Sequence, residues 1–152
     1  MKRMAWTGGL VVLVVGLWSS TVLPLSVGLG VGYDPTGIVL INVLTERALQ
    51  EGLDLRAEAG LATGNILGLM LLSGSLLWHQ PLLPLDPYAG VGLGVAVTRV
   101  PSVGALLEGI IGTRIVPFMP FGAYIELRYI LRLSTAGLSA GPVYEAGLFV
   151  SF

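Results

Sequence analysis

Charged residues at alternate positions are the feature of this sequence that most restricts how the chain can fold. Within residues 53–61 and 123–133, every charge falls on one parity, and the intervening positions are mainly apolar. These charges are Asp54, Arg56, Glu58, Glu126, Arg128 and Arg132. A β-strand sends alternate side chains to opposite faces, whereas an α-helix would spread the same charges around its circumference. The spacing therefore predicts strands with one polar face and one apolar face.

The composition predicts that the apolar faces contact lipid. Hydrophobic residues make up 54% of the 152 residues and charged residues 11%, whereas a soluble domain carries roughly 25% charged residues. The formal net charge of −1 gives no basic field for nucleic acid, so we expect membrane lipid, and no nucleic acid, as a partner. The chain contains no cysteine, which excludes disulfides, thiolate metal sites and cysteine nucleophiles.

The N-terminal residues 1–22 are predicted to be a signal peptide. A basic start at Lys2 precedes an apolar run over residues 10–17, and small residues around Ser20 follow where a signal peptidase could cut. A retained transmembrane helix is the alternative, because the apolar stretch is just long enough to span a bilayer. Residues 23–152 are then expected to form a single domain.

Turn residues divide the remaining chain into eight runs. Gly, Pro, Asn, Asp and Ser cluster between apolar or alternating segments, as is typical of turns between strands. The predicted strands cover residues 23–33, 37–46, 52–63, 65–79, 87–99, 103–116, 120–133 and 140–152. An even number of strands can close on itself, and closure is required because a free sheet edge cannot lie in lipid. The predicted fold is therefore all-β, a closed eight-stranded antiparallel up-and-down transmembrane β-barrel.

Residues 66–78 leave one alternative open. Their sequence, ILGLMLLSGSLLW, is as typical of a short transmembrane helix as of a strand. A helical inner-membrane protein with three or four helices is therefore the structural alternative. Such a bundle would have to place charges such as Glu108, Glu126 and Arg128 in or beside lipid, at a few kcal/mol each.

The C-terminal strand carries the most specific motif. Phe152 is the last residue of the sequence, and Val150 and Leu148 precede it at alternate positions. This ending resembles the last strand of bacterial outer-membrane proteins. Together with the predicted signal peptide, it makes the chain similar to the small eight-stranded barrels typified by the OmpA transmembrane domain and OmpX. The resemblance implies a bacterial outer-membrane location and recognition of these three residues by the barrel-assembly machinery. The very short turns depart from that family, which puts contacts through long outer loops in doubt.

The parity of the strands assigns nine charged side chains to the barrel interior. They are Asp54, Arg56, Glu58, Glu108, Arg114, Glu126, Arg128, Arg132 and Glu145. Eight strands enclose a space that side chains can fill, and arginine pairs well with carboxylates in such surroundings. Glycine columns on the first and fifth strands, around Gly30 and Gly92, would make room for the arginines. This predicts an ionic plug that holds the barrel's shape, with a narrow gated channel for water, protons or small ions as the alternative.

The sequence predicts no catalytic, cofactor-binding or metal-binding site. His79 is the only histidine, and it adjoins a proline-rich segment, so we expect it at an interface or in a turn. The outward turns are too short for an adhesin surface. We therefore expect a non-enzymatic structural barrel that supports envelope integrity or anchors a surface assembly, with an envelope partner of unknown identity. Aromatic residues near the ends of the runs are expected to form interfacial girdles: Tyr33, Trp78, Tyr88, Phe118, Phe121 and Tyr144.

Overall fold

Eight β-strands account for almost all of the chain that the structure describes. The structure is a computed structural model, and it describes residues 25–63, 69–80, 82, 84–97, 103–118, 120–135 and 137–152. The strands are β1 (Leu25–Tyr33), β2 (Val39–Gln50), β3 (Leu53–Thr63), β4 (Leu69–His79), β5 (Leu85–Val97), β6 (Val103–Phe118), β7 (Phe121–Ser134) and β8 (Gly137–Ser151). Each corresponds to one predicted run. The predicted signal peptide, residues 1–22, lies outside the described residues.

The strands form a closed antiparallel barrel in sequence order. Each strand pairs with its neighbours along the chain, and β8 returns to pair with β1 from Ser26↔Ser151 to Tyr33↔Tyr144. The prediction of an eight-stranded up-and-down barrel is confirmed. We call the end that holds Phe152 and the start of β1 the terminal rim, and the end that holds the β1–β2 turn at Asp34 the distal rim.

Side chains alternate between the interior and the outer surface along the strands. In β1, Gly28, Gly30 and Gly32 are buried, whereas Leu29 and Val31 are exposed on the outside. The other strands bury one parity, which carries the charged residues together with small and some apolar ones, and expose mainly apolar residues on the other. This is the inverse of a soluble barrel, and it suits an outer surface that contacts hydrocarbon.

The helical alternative is wrong for residues 69–78, the part of that run that the structure describes. Residues 69–79 form strand β4, which pairs with β3 and β5 along its whole length. Its inward parity holds Ser73, Ser75 and Leu77, which face inward partners on both neighbouring strands. Pairing on both sides satisfies the backbone hydrogen bonds of this apolar run. Hydrophobicity alone could not predict this, because a buried strand and a short helix can be equally apolar. Among the described residues there is no helix long and apolar enough to cross a membrane.

Short turns join the strands at both rims. At the distal rim, Asp34 Oδ1 accepts hydrogen bonds from the Thr36 backbone N–H at 2.8 Å and from the Ile38 N–H at 3.1 Å. Gly37 closes this turn with a φ of 91°, and Gly52 turns β2 into β3 at the terminal rim with a φ of 73°. These left-handed conformations favour glycine, which explains why both positions carry it.

Candidate functional site

The interior of the barrel is built around Arg128 on β7. This side chain is almost fully buried, and its Nη1 and Nη2 donate to the two carboxylate oxygens of Glu58 at 2.5 and 2.6 Å. Its guanidinium also lies 3.2 Å from oxygens of Glu108, Glu126 and Glu145. A planar guanidinium matches a carboxylate in this bidentate geometry, so the pair with Glu58 fixes the side chain across the lumen.

Arg56 on β3 forms a second centre beside the first. Its Nε donates to Glu46 at 2.6 Å and its Nη1 to Glu126 at 2.7 Å. The hydroxyl of Tyr88 donates to the same Glu126 oxygen at 2.6 Å. The guanidinium carbon lies 5.4 Å from the centre of the Tyr88 ring and 5.7 Å from that of Tyr124, within the range of cation–π attraction.

The two arginines link opposite strands of the barrel in a reciprocal way. Arg56 on β3 reaches Glu126 on β7, and Arg128 on β7 reaches Glu58 on β3. Both strands carry an arginine and a glutamate two positions apart, so the alternation seen in the sequence places each pair on the inner face. The ion pairs therefore cross the lumen and connect strands that share no backbone hydrogen bonds.

Neutral side chains donate the remaining hydrogen bonds to the central carboxylates. Asn42 Nδ2 donates to Glu58 at 2.7 Å and to Glu145 at 2.8 Å, and the Tyr124 hydroxyl donates to the same Glu145 oxygen at 2.6 Å. Ser75 donates its hydroxyl to Glu108 at 2.6 Å. These donors lower the cost of holding several carboxylates in a space that excludes water.

A third cluster lies at the terminal rim around His79. Its Nε2 is 3.1 Å from Asp54 Oδ2, and its Nδ1 is 3.1 Å from Asp86 Oδ2. Arg114 contacts Asp54 at 3.2 Å and Glu46 at 2.5 Å, which connects this cluster to Arg56. Placing His79 in a turn was therefore wrong. It ends β4 with its side chain 5% exposed, inside the ionic network.

Glycines provide the space in which these side chains lie. A Cβ added at Gly30 would collide with the Tyr124 hydroxyl, and one added at Gly112 would lie 2.6 Å from the Tyr88 hydroxyl. At Gly92 the added atom would lie 2.7 Å from Glu108 Cγ. We expected arginines over the glycine columns of β1 and β5, but no arginine is among the nearest side chains there: Tyr124, Asn42 and Glu145 lie over Gly30, and Ser75 and Glu108 lie over Gly92. The arginines extend instead across the centre of the lumen.

An apolar layer covers the network on its distal side, and a smaller apolar cluster packs beside it. Towards the distal rim, Leu40, Ala62, Ala96 and Leu106 form a buried cluster, with Leu71 and Ile130 packed against it. Towards the terminal rim, Phe149 and Leu44 pack with the ring of Tyr124. The charged groups of the centre are therefore separated from the distal opening by side chains that make no hydrogen bonds to water or ions.

The interior contains more acidic side chains than the strand parity alone predicted. Of the nine acidic residues in the sequence, only Asp34 and Glu51 lie in turns at the rims, and the other seven point into the interior. Glu46 and Asp86 join the five predicted acids, and Asn42, Tyr88 and His79 also belong to the network. Among the described residues, no group of His, Cys, Asp and Glu side chains is arranged to hold a metal ion.

Arg132 and Tyr88 differ from what the sequence predicted. Arg132 faces inward as expected, but it forms no salt bridge with any acid of the described chain, unlike Arg56 and Arg128. Tyr88, expected in an outer girdle, is 3% exposed and lies in the lumen. The other predicted girdle residues with described side chains are exposed on the outer surface: Tyr33, Trp78, Phe121 and Tyr144. The side chain of Phe118 lies outside the described part of the structure.

The C-terminal residues lie on the outer surface at the terminal rim. Leu148 and Phe152 are largely exposed, and Val150 pairs with Val27 of β1. The Phe152 N–H donates to the Leu25 carbonyl at 2.8 Å, so the last residue completes the seam between β8 and β1. The alternation from Leu148 to Phe152 thus presents three apolar side chains on the outer face.

Solved structures of other proteins share the fold of this chain. The N-terminal β-barrel domain of Pseudomonas aeruginosa OprF matches with a TM-score of 0.73 and 15% identity, over 85% of this chain and 97% of that domain. Neisserial surface protein A matches with a TM-score of 0.62 and 12% identity, over 86% and 96%. The outer membrane enzyme PagL matches with a TM-score of 0.54 and 14% identity, over 84% and 98%.

These similarities establish the fold. The chain has the fold of the small eight-stranded transmembrane barrels of bacterial outer membranes, as its C-terminal strand and its alternating charges predicted. No protein-family model matches the sequence, and no curated protein matches it either. The role of the barrel has to be argued from its own interior and surfaces, because one fold hosts both binding proteins and enzymes.

Proposed function

We propose that the protein is a structural barrel of the bacterial outer membrane, without enzymatic activity and without an open pore. The observation that supports this most strongly is the cross-lumen pairing of Arg56 with Glu126 and of Arg128 with Glu58, covered on the distal side by an apolar layer. Such an interior acts as a plug that holds opposite strands at a fixed distance. Its role is then envelope integrity, or the anchoring of a surface assembly in the membrane.

The outer surface and the last strand support the proposed outer-membrane location. The outward parity of the strands is apolar across the middle of the barrel, as in Leu29, Leu93 and Leu127. Phe152, Val150 and Leu148 are proposed to be the signal that the barrel-assembly machinery reads. Fractionation of cells carrying Phe152→Ala, beside the control Leu138→Ala at the distal end of β8, tests this. Loss of the folded form in the first variant only supports the proposal, and equal assembly contradicts it.

The surroundings of His79 argue against catalysis. A histidine that serves as general base for a serine needs one free ring nitrogen directed at the hydroxyl. Here both ring nitrogens lie 3.1 Å from carboxylates, Asp86 and Asp54, and Arg114 also contacts the ring. The hydroxyl of Ser75, on the same strand, donates to Glu108. PagL is an outer membrane enzyme with this fold, so these contacts, and not the fold, speak against catalysis here.

A narrow conduit for protons or small cations is the second candidate. The excess of interior carboxylates over arginines favours it, because an acidic lumen attracts cations. The apolar layer of Leu40, Ala62, Ala96 and Leu106 opposes it, since an ion would have to cross that layer without polar partners. The two candidates differ in what they predict for Glu126→Gln, which removes a charge from the centre of the lumen.

Electrical recording across lipid bilayers separates the two functions. A plug predicts no steady conductance for the natural protein or for Glu126→Gln, because the apolar layer of the distal side is unchanged in that variant. A conduit predicts conductance in the natural protein that falls in Glu126→Gln. Far-UV circular dichroism in mild detergent, with gels of unheated and boiled samples, first verifies that each variant forms a closed barrel. Measurable conductance of the natural protein would refute the plug.

A further inference from the structure

A cavity of about 390 Å³ opens at the distal rim, above the ionic network and separate from it. Its floor is the apolar cluster that includes Leu40, Leu71, Leu106 and Ile130. One wall is the distal part of β8, residues 139–143, and the β1–β2 turn borders the mouth. The volume is at the lower end of the range of about 300–1,000 Å³ that is typical of small-molecule pockets, which suits one alkyl chain.

Arg132 supplies the positive charge of this cavity. Its side chain is half-buried and lies over Gly104 of β6, where an added Cβ would be 3.3 Å from its Nε. The Nε is buried and has no hydrogen-bond partner among the described residues. Asp34 also borders the cavity, but its Oδ1 accepts hydrogen bonds from Thr36 and Ile38 of its own turn. A guanidinium beside an apolar floor is complementary to an anion that carries an alkyl chain.

One side of the cavity is bordered by a strand edge that has no partner. Pairing between β1 and β8 ends at Tyr33↔Tyr144, whereas β8 begins at Gly137. The distal part of β8 therefore has no β1 partner, and this unpaired edge borders the cavity. A strand edge without partners cannot lie in hydrocarbon, so this edge lies at the level of the lipid headgroups or further out. An opening at the headgroup level faces the layer where anionic headgroups and the upper parts of acyl chains are found.

We propose that this cavity binds a single-chain anionic amphiphile. The alkyl chain lies on Leu40, Leu71, Leu106 and Ile130, and the carboxylate or phosphate pairs with Arg132 at the mouth. The ligand enters sideways, through the gap between β1 and the distal part of β8. Free fatty acids and single-chain phospholipids share this chemistry. The binding site is independent of the plug proposed above, because no residue of the cross-lumen ion pairs lines the cavity.

Carbon-13 NMR of carboxyl-labelled dodecanoate tests the proposal. The protein is placed in phosphatidylcholine nanodiscs, and the bound carboxyl signal is titrated to saturation. Arg132→Gln is expected to weaken dodecanoate binding by about tenfold or more, because a charged hydrogen-bonded pair is lost, whereas Arg132→Lys retains most of the affinity. Dodecanol, which lacks the charge, should bind the natural protein and Arg132→Gln equally. Dodecanoyl lysophosphatidate in the same titration shows whether the source is a free acid or a membrane lipid.

Two glycines provide matched steric variants. Gly141 lines the cavity and Gly109 faces outward on β6, and an added Cβ at either position meets nothing within 4 Å. Gly141→Leu should fill the cavity and abolish binding of both dodecanoate and dodecanol, whereas Gly109→Leu should change neither. A bound signal that does not saturate, or that persists unchanged in Gly141→Leu, would overturn the proposal. Unheated and boiled gels confirm that all variants are folded barrels before the titration.

Discussion

Replacing Arg128 with methionine is the sharpest test of the interior network. The substitution keeps an unbranched apolar stem and removes the guanidinium that Glu58, Glu108, Glu126 and Glu145 surround. Removing one partner of a buried ion pair costs about 3–5 kcal/mol, because the other partner stays buried without compensation. Glu58 alone loses two hydrogen bonds of 2.5 and 2.6 Å, so we expect a loss in the upper half of that range.

Urea unfolding in phosphatidylcholine vesicles, followed by far-UV circular dichroism, measures this loss. Arg132→Met is the matched control, because Arg132 faces inward on the same strand without an ion pair, and we expect a cost of about 1 kcal/mol or less. The double variant Arg128→Met with Glu58→Gln should cost less than the sum of the single changes, since it removes the stranded charge as well. Equal losses in Arg128→Met and Arg132→Met, or strict additivity of the double variant, would refute the reasoning.

Three further substitutions test the packing, the hydrogen bonding and the outer surface by the same unfolding measurement. Gly92→Val forces a side chain against Glu108 and should cost at least about 1–3 kcal/mol, whereas Gly109→Val on the outside should change stability by about 0.5 kcal/mol or less; similar values would contradict the inward packing. Tyr88→Phe removes the hydroxyl that donates to Glu126 and should cost about 1.5–3 kcal/mol; an unchanged midpoint would argue against that bond. Leu29→Arg should cost about 2–4 kcal/mol in vesicles, and tolerance of this charge would show that the outer face does not contact hydrocarbon.

The sequence predicted those parts of the barrel in which polarity and strand parity coincide. On β3 and β7, charged and apolar residues alternate without exception over several positions, so both the strands and the direction of Arg56 and Arg128 follow from the pattern. The pattern could not predict which acid each arginine would contact. That choice depends on the closure of the barrel and on the pairing of all the strands between β3 and β7.

On β2 the same reasoning missed Asn42 and Glu46. Leu40 and Leu44 share their parity and are buried in the interior, while apolar residues also occupy the outward positions, so hydrophobicity does not alternate along this strand. The polar residues alone carry the signal, since Asn42 and Glu46 are four positions apart and therefore face the same side. Where the interior itself contains apolar side chains, the alternation of hydrophobicity is lost, and the inward face of such a strand cannot be predicted from it.

The start of β5 was missed for a different reason. The prolines around Pro87 are typical of a turn, so the sequence predicts a connection over residues 79–87. In the structure β5 begins at Leu85 and includes Pro87. Asp86 and Tyr88 are two positions apart on this strand, so both side chains point into the lumen. Proline is tolerated near the end of a strand, where fewer ladder hydrogen bonds depend on its missing N–H.

The reciprocal ion pairs also have a consequence for how the protein enters the membrane. Arg56 and Glu126 are 70 positions apart in the chain, as are Glu58 and Arg128, so neither pair can form within a hairpin or a half-built sheet. A sheet inserted before closure would expose these charges to hydrocarbon without partners. Insertion of incomplete intermediates is therefore penalised, and the chain gains the full stabilisation of its interior only when β8 meets β1. The charged residues of these pairs, which taken singly would oppose membrane insertion, thus favour closure and insertion of the barrel in one concerted step.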